Sequence, residues 1–285
     1  MKHHRRLIAA FLLILAWPQL VQADNALQEW NVLNERAIGL YEQGNYRRAI
    51  SVARSALQFA EKRLGKNRPE VATSLNNLGF FYDRQGEYAK ALPLYRRSLA
   101  LDEKRLAPND PSLAITIDNL GNLYKAVGNY TKAEPLLKRA LRIRERVLGP
   151  DDSNLAASLN SLASLYEKQG KYSRAKALYQ RALSIMDKRP DSDNRLLATI
   201  LNNLAGLYKA QGRYAEAEPL YQRSLAIKEK VLGPNHPDFA TSLNNLGELR
   251  RVQGKYARAE QLYKRALAIN QRLLGSKHPL VSTYL

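Results

Sequence analysis

The chain contains no cysteine. That excludes disulfides, a thiol nucleophile, cysteine zinc sites and lipid attachment through a processed cysteine. Histidine is scarce too, and beyond His3 and His4 only His236 and His278 occur, each before a proline in equivalent links of a repeating pattern. Recurrence at equivalent loop positions reads as helix capping, and two imidazoles on separate units without a carboxylate partner do not make a zinc site. There is no Gly-rich phosphate loop and no serine elbow, and the acidic residues are scattered through helical stretches rather than paired. The residues for catalysis are missing, so a non-catalytic protein with no metal and no cofactor is expected. Long apolar runs are missing as well: after the stretch from Leu7 to Trp17, no segment approaches the length needed to cross a membrane.

Positive charge, by contrast, is abundant. Against 26 Asp and Glu stand 45 Lys and Arg, a formal charge of +19 over 285 residues. Such a field attracts polyanions or acidic partners. The chain opens MKHHRRLIAAFLLILAWPQLVQADN, a basic start, an apolar stretch, Pro18, and a small-residue exit at Val21-Gln22-Ala23. This is the layout of a secretory signal over residues 1–23, with cleavage after Ala23 and export to the periplasm or the medium expected. The alternatives are an uncleaved anchor and a buried first helix, but the apolar stretch from Leu7 to Trp17 is short for a bilayer span. Arg5-Arg6 hints at the twin-arginine route, but the flanking residues give that little support. Loss of Lys2, Arg5 and Arg6 with the signal leaves +16.

The rest of the chain, residues 24–285, is periodic. Gly44, Gly86, Gly128, Gly170, Gly212 and Gly254 recur at one constant interval, each followed two positions later by a tyrosine and then by an alanine, as in Tyr46 and Ala49. A fixed period of this size marks a solenoid, whose units bury their apolar faces against neighbours. Within one unit, Leu75, Leu78 and Tyr82 have helical spacing, Gly86 breaks the run, and Tyr88, Ala91, Leu92, Tyr95 and Leu99 resume it. Each unit is therefore two amphipathic helices turning at the glycine, where positive φ carries no Cβ penalty. Ala91 and its equivalents suit close helix approach, and Pro93, Pro135 and Pro219 recur early in the second helix. The links LGKNRPEVA, LAPNDPSLA, LGPDDSNLA, LGPNHPDFA and LGSKHPLVS give a stop and a restart, with Pro69, Pro111, Pro237 and Pro279 at first helical positions. The link from Arg189 to Ala198 lacks the Leu-Gly pair and is the candidate for a bend in one continuous array.

The set Leu78-Gly79, Tyr82, Gly86, Tyr88, Ala91, Tyr95 and Ser98-Leu99 resembles the tetratricopeptide repeat (TPR), in a form longer than that family's basic unit. This longer form, with NNL before the tyrosine and LGPNHPDFA between units, is similar to the repeats of kinesin light chains and their bacterial relatives. The resemblance runs from about Asn31 to the end. It implies an all-α fold, a right-handed TPR superhelix (α-solenoid), and protein or peptide binding in a concave groove. The repeats fall at about 31–72, 73–114, 115–156, 157–198, 199–240 and 241–278, and HPLVSTYL starts a seventh. In the first, Arg36 and Glu35 replace Leu78 and Asn77, the polar face expected of a cap. At the other end the surface around Leu262, Leu267 and Ile269 is expected to be partly covered, either capped by the short segment, shared with a second copy through self-association, or continued by further chain.

With the apolar set of each first helix turned to its own second helix, the opposite side lines the groove. In the second unit that side holds Thr73, Asn77, Phe80 and Arg84, flanked by Asn76 and Asp83. Asparagine recurs there, as Asn76, Asn77, Asn119, Asn160, Asn202, Asn203, Asn244 and Asn245. A ladder of amides can hold the backbone of an extended peptide. The plainer alternative is that these residues bond neighbouring helices. Arg84, Lys125, Lys168, Lys209, Arg250 and Arg251 add cations suited to an acidic peptide, interrupted by Asp83 and Glu167; the alternative for them is a set of solvated helix ends. A second basic set, Arg96-Arg97, Lys138-Arg139, Arg181, Arg223 and Lys264-Arg265, falls on the second helices and the convex side, where solubility or contact with an anionic membrane surface is expected. The leading reading is a protein-binding scaffold. The alternative is a basic protein of the cell envelope that binds polyanions or anionic surfaces, with nucleic acid disfavoured by the export signal.

Overall fold

A computed structural model describes residues 24–188 and 194–274, all of its regular structure helical among them. The segment expected to be a signal, the core of the Arg189 to Ala198 link, and the expected start of a seventh unit lie outside the described residues. The helices divide into two compact units, Met1–Leu106 and Ala107–Leu285.

The first unit holds α1 (24–42), α2 (Tyr46–Phe59), α3 (Pro69–Arg84) and α4 (Tyr88–Arg105). Helix α2 runs into a π-helical turn, Ala60–Leu64, closed at Gly65 with φ +106°. Trp30 anchors the core with Ala56, Ala60, Val71 and Leu75. Its indole Nε1 donates to Ser74 Oγ at 2.8 Å, which satisfies the one polar atom that burial of tryptophan brings inside. Glu35 and Arg36 are exposed, as a capping face requires.

The second unit repeats one arrangement through α5 (Pro111–Ala126), α6 (Tyr130–Val147), α7 (Ser153–Lys168), α8 (Tyr172–Asp187), α9 (Asn194–Ala210), α10 (Tyr214–Leu232), α11 (Pro237–Val252) and α12 (Tyr256–Leu274). Each odd helix packs along the even helix that follows it, and from α7 onward it also touches the even helix that precedes it. Neighbouring odd helices also approach backbone to backbone, whereas neighbouring even helices do not. The first-helix layer of this unit is therefore the tighter one. Helix pairs run from link to link, so the natural frame starts a few residues before the 31–72 and 73–114 division, which cuts each first helix near its start.

The turn glycines behave as their recurrence requires. Gly170, at φ +72°, donates to Glu167 O at 2.9 Å, and Lys171 N reaches Tyr166 O at 2.8 Å, closing a Schellman turn. Restarts are capped: Asp110 accepts from Ser112 N, Asp152 from Asn154 N, and His236 Nδ1 from Asp238 N at 3.1 Å. His236 is thus a helix cap, and His278 lies outside the described residues. Pro69, Pro111 and Pro237 open their helices.

Inside each pair a small residue of the first helix meets a large one of the second. A Cβ on Gly79 would lie 3.0 Å from the Tyr95 ring, and one on Gly247 would lie 2.7 Å from that of Tyr263. The equivalents Ala163 and Ala205 are fully buried. Rings from the second helix thereby pack closely against the first, and the hydroxyls of Tyr179 and Tyr263 reach carboxylates on it. At the end of the described array Ile269 packs in a core with Phe239, Ala240, Leu243 and Ala266, and Leu262 rests against it. Leu267 is half-buried, and the short segment that is one of the three covers expected for this face lies outside the described residues.

Candidate functional site

The asparagines expected to line a groove are all half-buried on the first helices, and they bond one another across repeats. Asn203 Nδ2 donates to Asn160 Oδ1 at 3.0 Å, and Asn245 Nδ2 to Asn202 Oδ1 at 2.9 Å. In the first unit Asn77 Nδ2 donates to Asn34 Oδ1 at 2.8 Å. Each bond spans 43 residues, one more than the repeat, because adjacent first helices are offset by one position. The alternative reading, that asparagines join neighbouring helices, therefore describes part of what they do. It leaves atoms over: Asn160 and Asn202 accept and keep their Nδ2 donors, while Asn203 and Asn245 donate once and keep Oδ1. Asn76, Asn119 and Asn244 occupy the same two positions of the pattern. Asn34 was missed on sequence, although it stands one full repeat before Asn76.

One rung is different. Asp118 stands where Asn76, Asn160, Asn202 and Asn244 recur, and it is buried with Arg144, whose Nη1 donates to Asp118 Oδ2. Ser158 Oγ donates to the same oxygen at 2.8 Å. Burial pushes the Asp118 carboxyl up, against the opposing pull of Arg144.

The cations are unevenly engaged. Lys125 Nζ donates to Asn122 Oδ1 at 2.8 Å and Ser164 Oγ at 3.1 Å, bridging α5 and α7. Arg251 is held by Glu248 at 3.1 Å, and Lys168 and Arg84 are exposed. Lys209 is half-buried. Arg250 departs from the expected groove role: it is buried where Tyr82, Tyr124, Tyr166 and Tyr208 recur, and it pairs with Glu218 of α10 at 2.6 Å.

Between these cations lie carboxylates and phenols that the sequence pattern hardly signals. Tyr179 OH donates to Glu167 Oε2 at 2.9 Å, and Tyr263 OH to Glu248 Oε1 at 2.5 Å. Burial holds the Glu167 carboxyl above its usual range despite the Tyr179 hydrogen bond and nearby Lys168, Lys125 and Lys209. Burial works to raise Glu248 too, but hydrogen bonds from Arg251 and Tyr263 keep it below the ordinary value. Tyr263 is pushed up to about 12 by burial and the Glu248 carboxylate. In the first unit the corresponding surface is aromatic: Tyr41 stacks on Phe81 at 5.2 Å and meets Phe80 edge-on at 5.1 Å.

The second-helix face carries its own ladder. Arg97 pairs with Glu61, Arg181 with Glu145, Arg223 with Asp187, and Arg265 with Glu229, at 2.6 to 2.8 Å. The span is 36 residues each time, so each arginine reaches an acid six positions further along in the preceding repeat. Lys138 and Lys264 pair within their own helices with Glu134 and Glu260. Much of the basic set expected to face an anionic surface is thus matched by acids.

Among the described residues no group of three or more His, Asp or Glu is arranged to hold a metal ion, and no helix is long and apolar enough to cross a membrane. A tetratricopeptide repeat family model matches residues 31–104, 112–188, 196–272 and 238–285, and a second model of the same repeat matches 160–231. The chain belongs to the tetratricopeptide repeat family. It is a helical-repeat solenoid of the kind that serves as a protein-interaction scaffold, and no enzyme family is indicated. A search of the curated proteins finds no match. Among solved structures, the TPR protein resembles BtubC (BKLC) from P. vanneervenii, at 24% identity and TM-score 0.56, over 82% of this chain and 92% of that one. It also resembles a candidate kinesin light chain of nearly identical TPR-like repeats from Podosopora anserina, at 26% identity and TM-score 0.53, over 72% and 97%. A Rap protein complexed with Competence and Sporulation Factor shares the fold at 16% identity and TM-score 0.66, over 88% and 77%.

Proposed function

We propose that the TPR protein binds an extended protein segment along the first-helix face of its second unit, in a concave groove. The observation that carries this reading is the partial satisfaction of the asparagine ladder. Cross-repeat bonds fix the orientation of Asn160, Asn202, Asn203 and Asn245, and each amide retains a donor or an acceptor for a ligand backbone. Orienting the amides beforehand lowers the ordering cost that a ligand must offset. The tighter approach of the first helices supports this face as the inner one. The exposed Lys168 and half-buried Lys209 favour a segment with acidic residues.

The ion-pair ladder weighs against the second-helix face as a polyanion surface, since its arginines already have partners. The layout of residues 1–23 supports export, and the N-terminus of the chain recovered from its host should begin at Asp24 by mass spectrometry. For binding, the test is an array of extended peptides, acidic and neutral, probed with the wild type and with Asn160, Asn202 and Asn244 all changed to Ala. Loss of binding by the triple variant is expected; equal binding by both proteins removes the amide ladder from the site.

A further inference from the structure

The phenols that pass between the first helices have partners in two repeats of the second unit and lack one in the repeat between them. Tyr179 meets Glu167, and Ser164 also lies beside its hydroxyl. Tyr263 meets Glu248. Ser164 and Glu248 occupy the same position of the repeat, and the residue between them at that position is Gly206. With no side chain there, that position offers the Tyr221 hydroxyl no partner. Its ring is buried, yet its hydroxyl makes no hydrogen bond among the described residues and lies 3.5 Å from where a Cβ on Gly206 would stand. Glu167 Oε1, the oxygen that Tyr179 does not use, lies 3.8 Å from the same point. Gly206 is half-buried on the first-helix face, so the notch opens on that face.

We infer that this notch, formed by Gly206, Tyr221 and Glu167, is a side-chain subsite for a carboxamide, the side chain of Asn or Gln in a bound peptide. The inference rests on the peptide-binding reading of the first-helix face. A carboxamide donates N–H to Glu167 Oε1 and accepts from the Tyr221 hydroxyl, so it satisfies both atoms at once. A carboxylate cannot donate, and it would stand against Glu167. An ammonium can donate, but Lys125, Lys168 and Lys209 act on Glu167 from three successive first helices and oppose a further cation. An aliphatic side chain would bury both polar atoms without partners, at a cost in affinity. Burial that raises the Glu167 carboxyl also makes a ligand N–H donor more valuable there, because hydrogen bonding favours the charged form.

The subsite can be closed without harming the fold. A Cβ at Gly206 meets nothing nearer than 3.5 Å, and a serine there reproduces the arrangement of Ser164 over Tyr179. The full chain is titrated with N-acetyl methylamides of Gln, Glu, Lys and Leu, followed by NMR at the Gly206 amide and the Tyr221 ring. The Gln derivative should bind about tenfold more tightly than the other three. Gly206→Ser and Tyr221→Phe should each abolish that preference, with Gly206→Ser melting no lower than the wild type. Absence of a saturable shift at Gly206, or an unchanged preference in Gly206→Ser, overturns the inference. A positional-scanning library of nonapeptides separates it from the reading beneath. Library binding without selection of Asn or Gln at any position overturns the subsite and leaves peptide binding standing. Library silence beside a saturating Gln derivative keeps the subsite and overturns peptide binding.

Discussion

The first-helix and second-helix layers carry ladders of opposite chemistry. On the first helices, neutral amides bond at an offset of 43 residues and are half-buried. On the second helices, arginine and acid pair at an offset of 36 residues in open water, with Arg223 and Asp187 retaining 49% and 44% of their side-chain exposure. An exposed ion pair is worth about 0.2 to 1 kcal/mol and is screened by salt. A half-buried amide bond contributes a similar net amount, about 0.5 to 1.5 kcal/mol, but removing one partner costs more because the other is left desolvated. The amide layer is thus the less forgiving of the two, and the one with hydrogen-bonding capacity left over for a ligand.

The sharpest way to break this comparison is at Asp118, where a charge has entered the amide layer. Asp118→Asn leaves Arg144 buried without its counter-ion, and a loss of about 3 to 5 kcal/mol is expected in urea unfolding followed by circular dichroism. The equivalent of Arg144 in the next repeat is the fully buried Met186, opposite Asn160. The double variant Asp118→Asn with Arg144→Met copies that repeat, and it should recover stability to within about 1 kcal/mol of the wild type or exceed it. A double variant as unstable as the single one would show that the pair cannot be replaced by its neighbour's solution.

Next in size is Asn202→Ala, which takes the acceptor from Asn245. A loss of about 1 to 2 kcal/mol is expected by the same measurement, insensitive to salt. Smaller, and visible chiefly as a pH effect, is Glu167→Gln. Because burial raises the Glu167 carboxyl in the folded chain, its favourable contribution is complete below the ordinary glutamate value of 4.5 and is lost as pH rises through the higher folded value. Melting curves across that range should show Glu167→Gln gaining on the wild type toward neutral pH. A gain on the acid side would reverse the assigned sign. Smallest is Arg223→Ala in the charged ladder, expected to cost under about 1 kcal/mol and to approach zero in salt of about 1 M.

What the sequence revealed follows from what repeats at one residue position. The turn glycines, with φ between +72° and +77°, recur once in every repeat and announce the helix pair by themselves. The asparagines are legible in the same way. Pairings between repeats are not, since offsets of 43 and 36 depend on how adjacent helices are staggered, a property of packing that no single column of the period displays. For this reason the Arg97 set looks like free positive charge in the sequence, and Arg250 falls among the cations expected in a groove although it fills a tyrosine's site. Gly206 escapes notice for a third reason. Its significance lies in a partner that Tyr221 lacks, which only the neighbouring repeats reveal.

Every rung described above joins one repeat to the next within its unit, and this sets what lengths of chain the architecture tolerates. Adding or deleting one residue in a link would slide one helix pair against its neighbour and misalign amides and ion pairs together. Excising a whole repeat would instead return every rung to an equivalent: Arg223, 36 residues after Asp187, would meet Glu145, and Asn203 would meet Asp118. Such a chain can grow or shorten by complete units, and by little else, while keeping its layers in register.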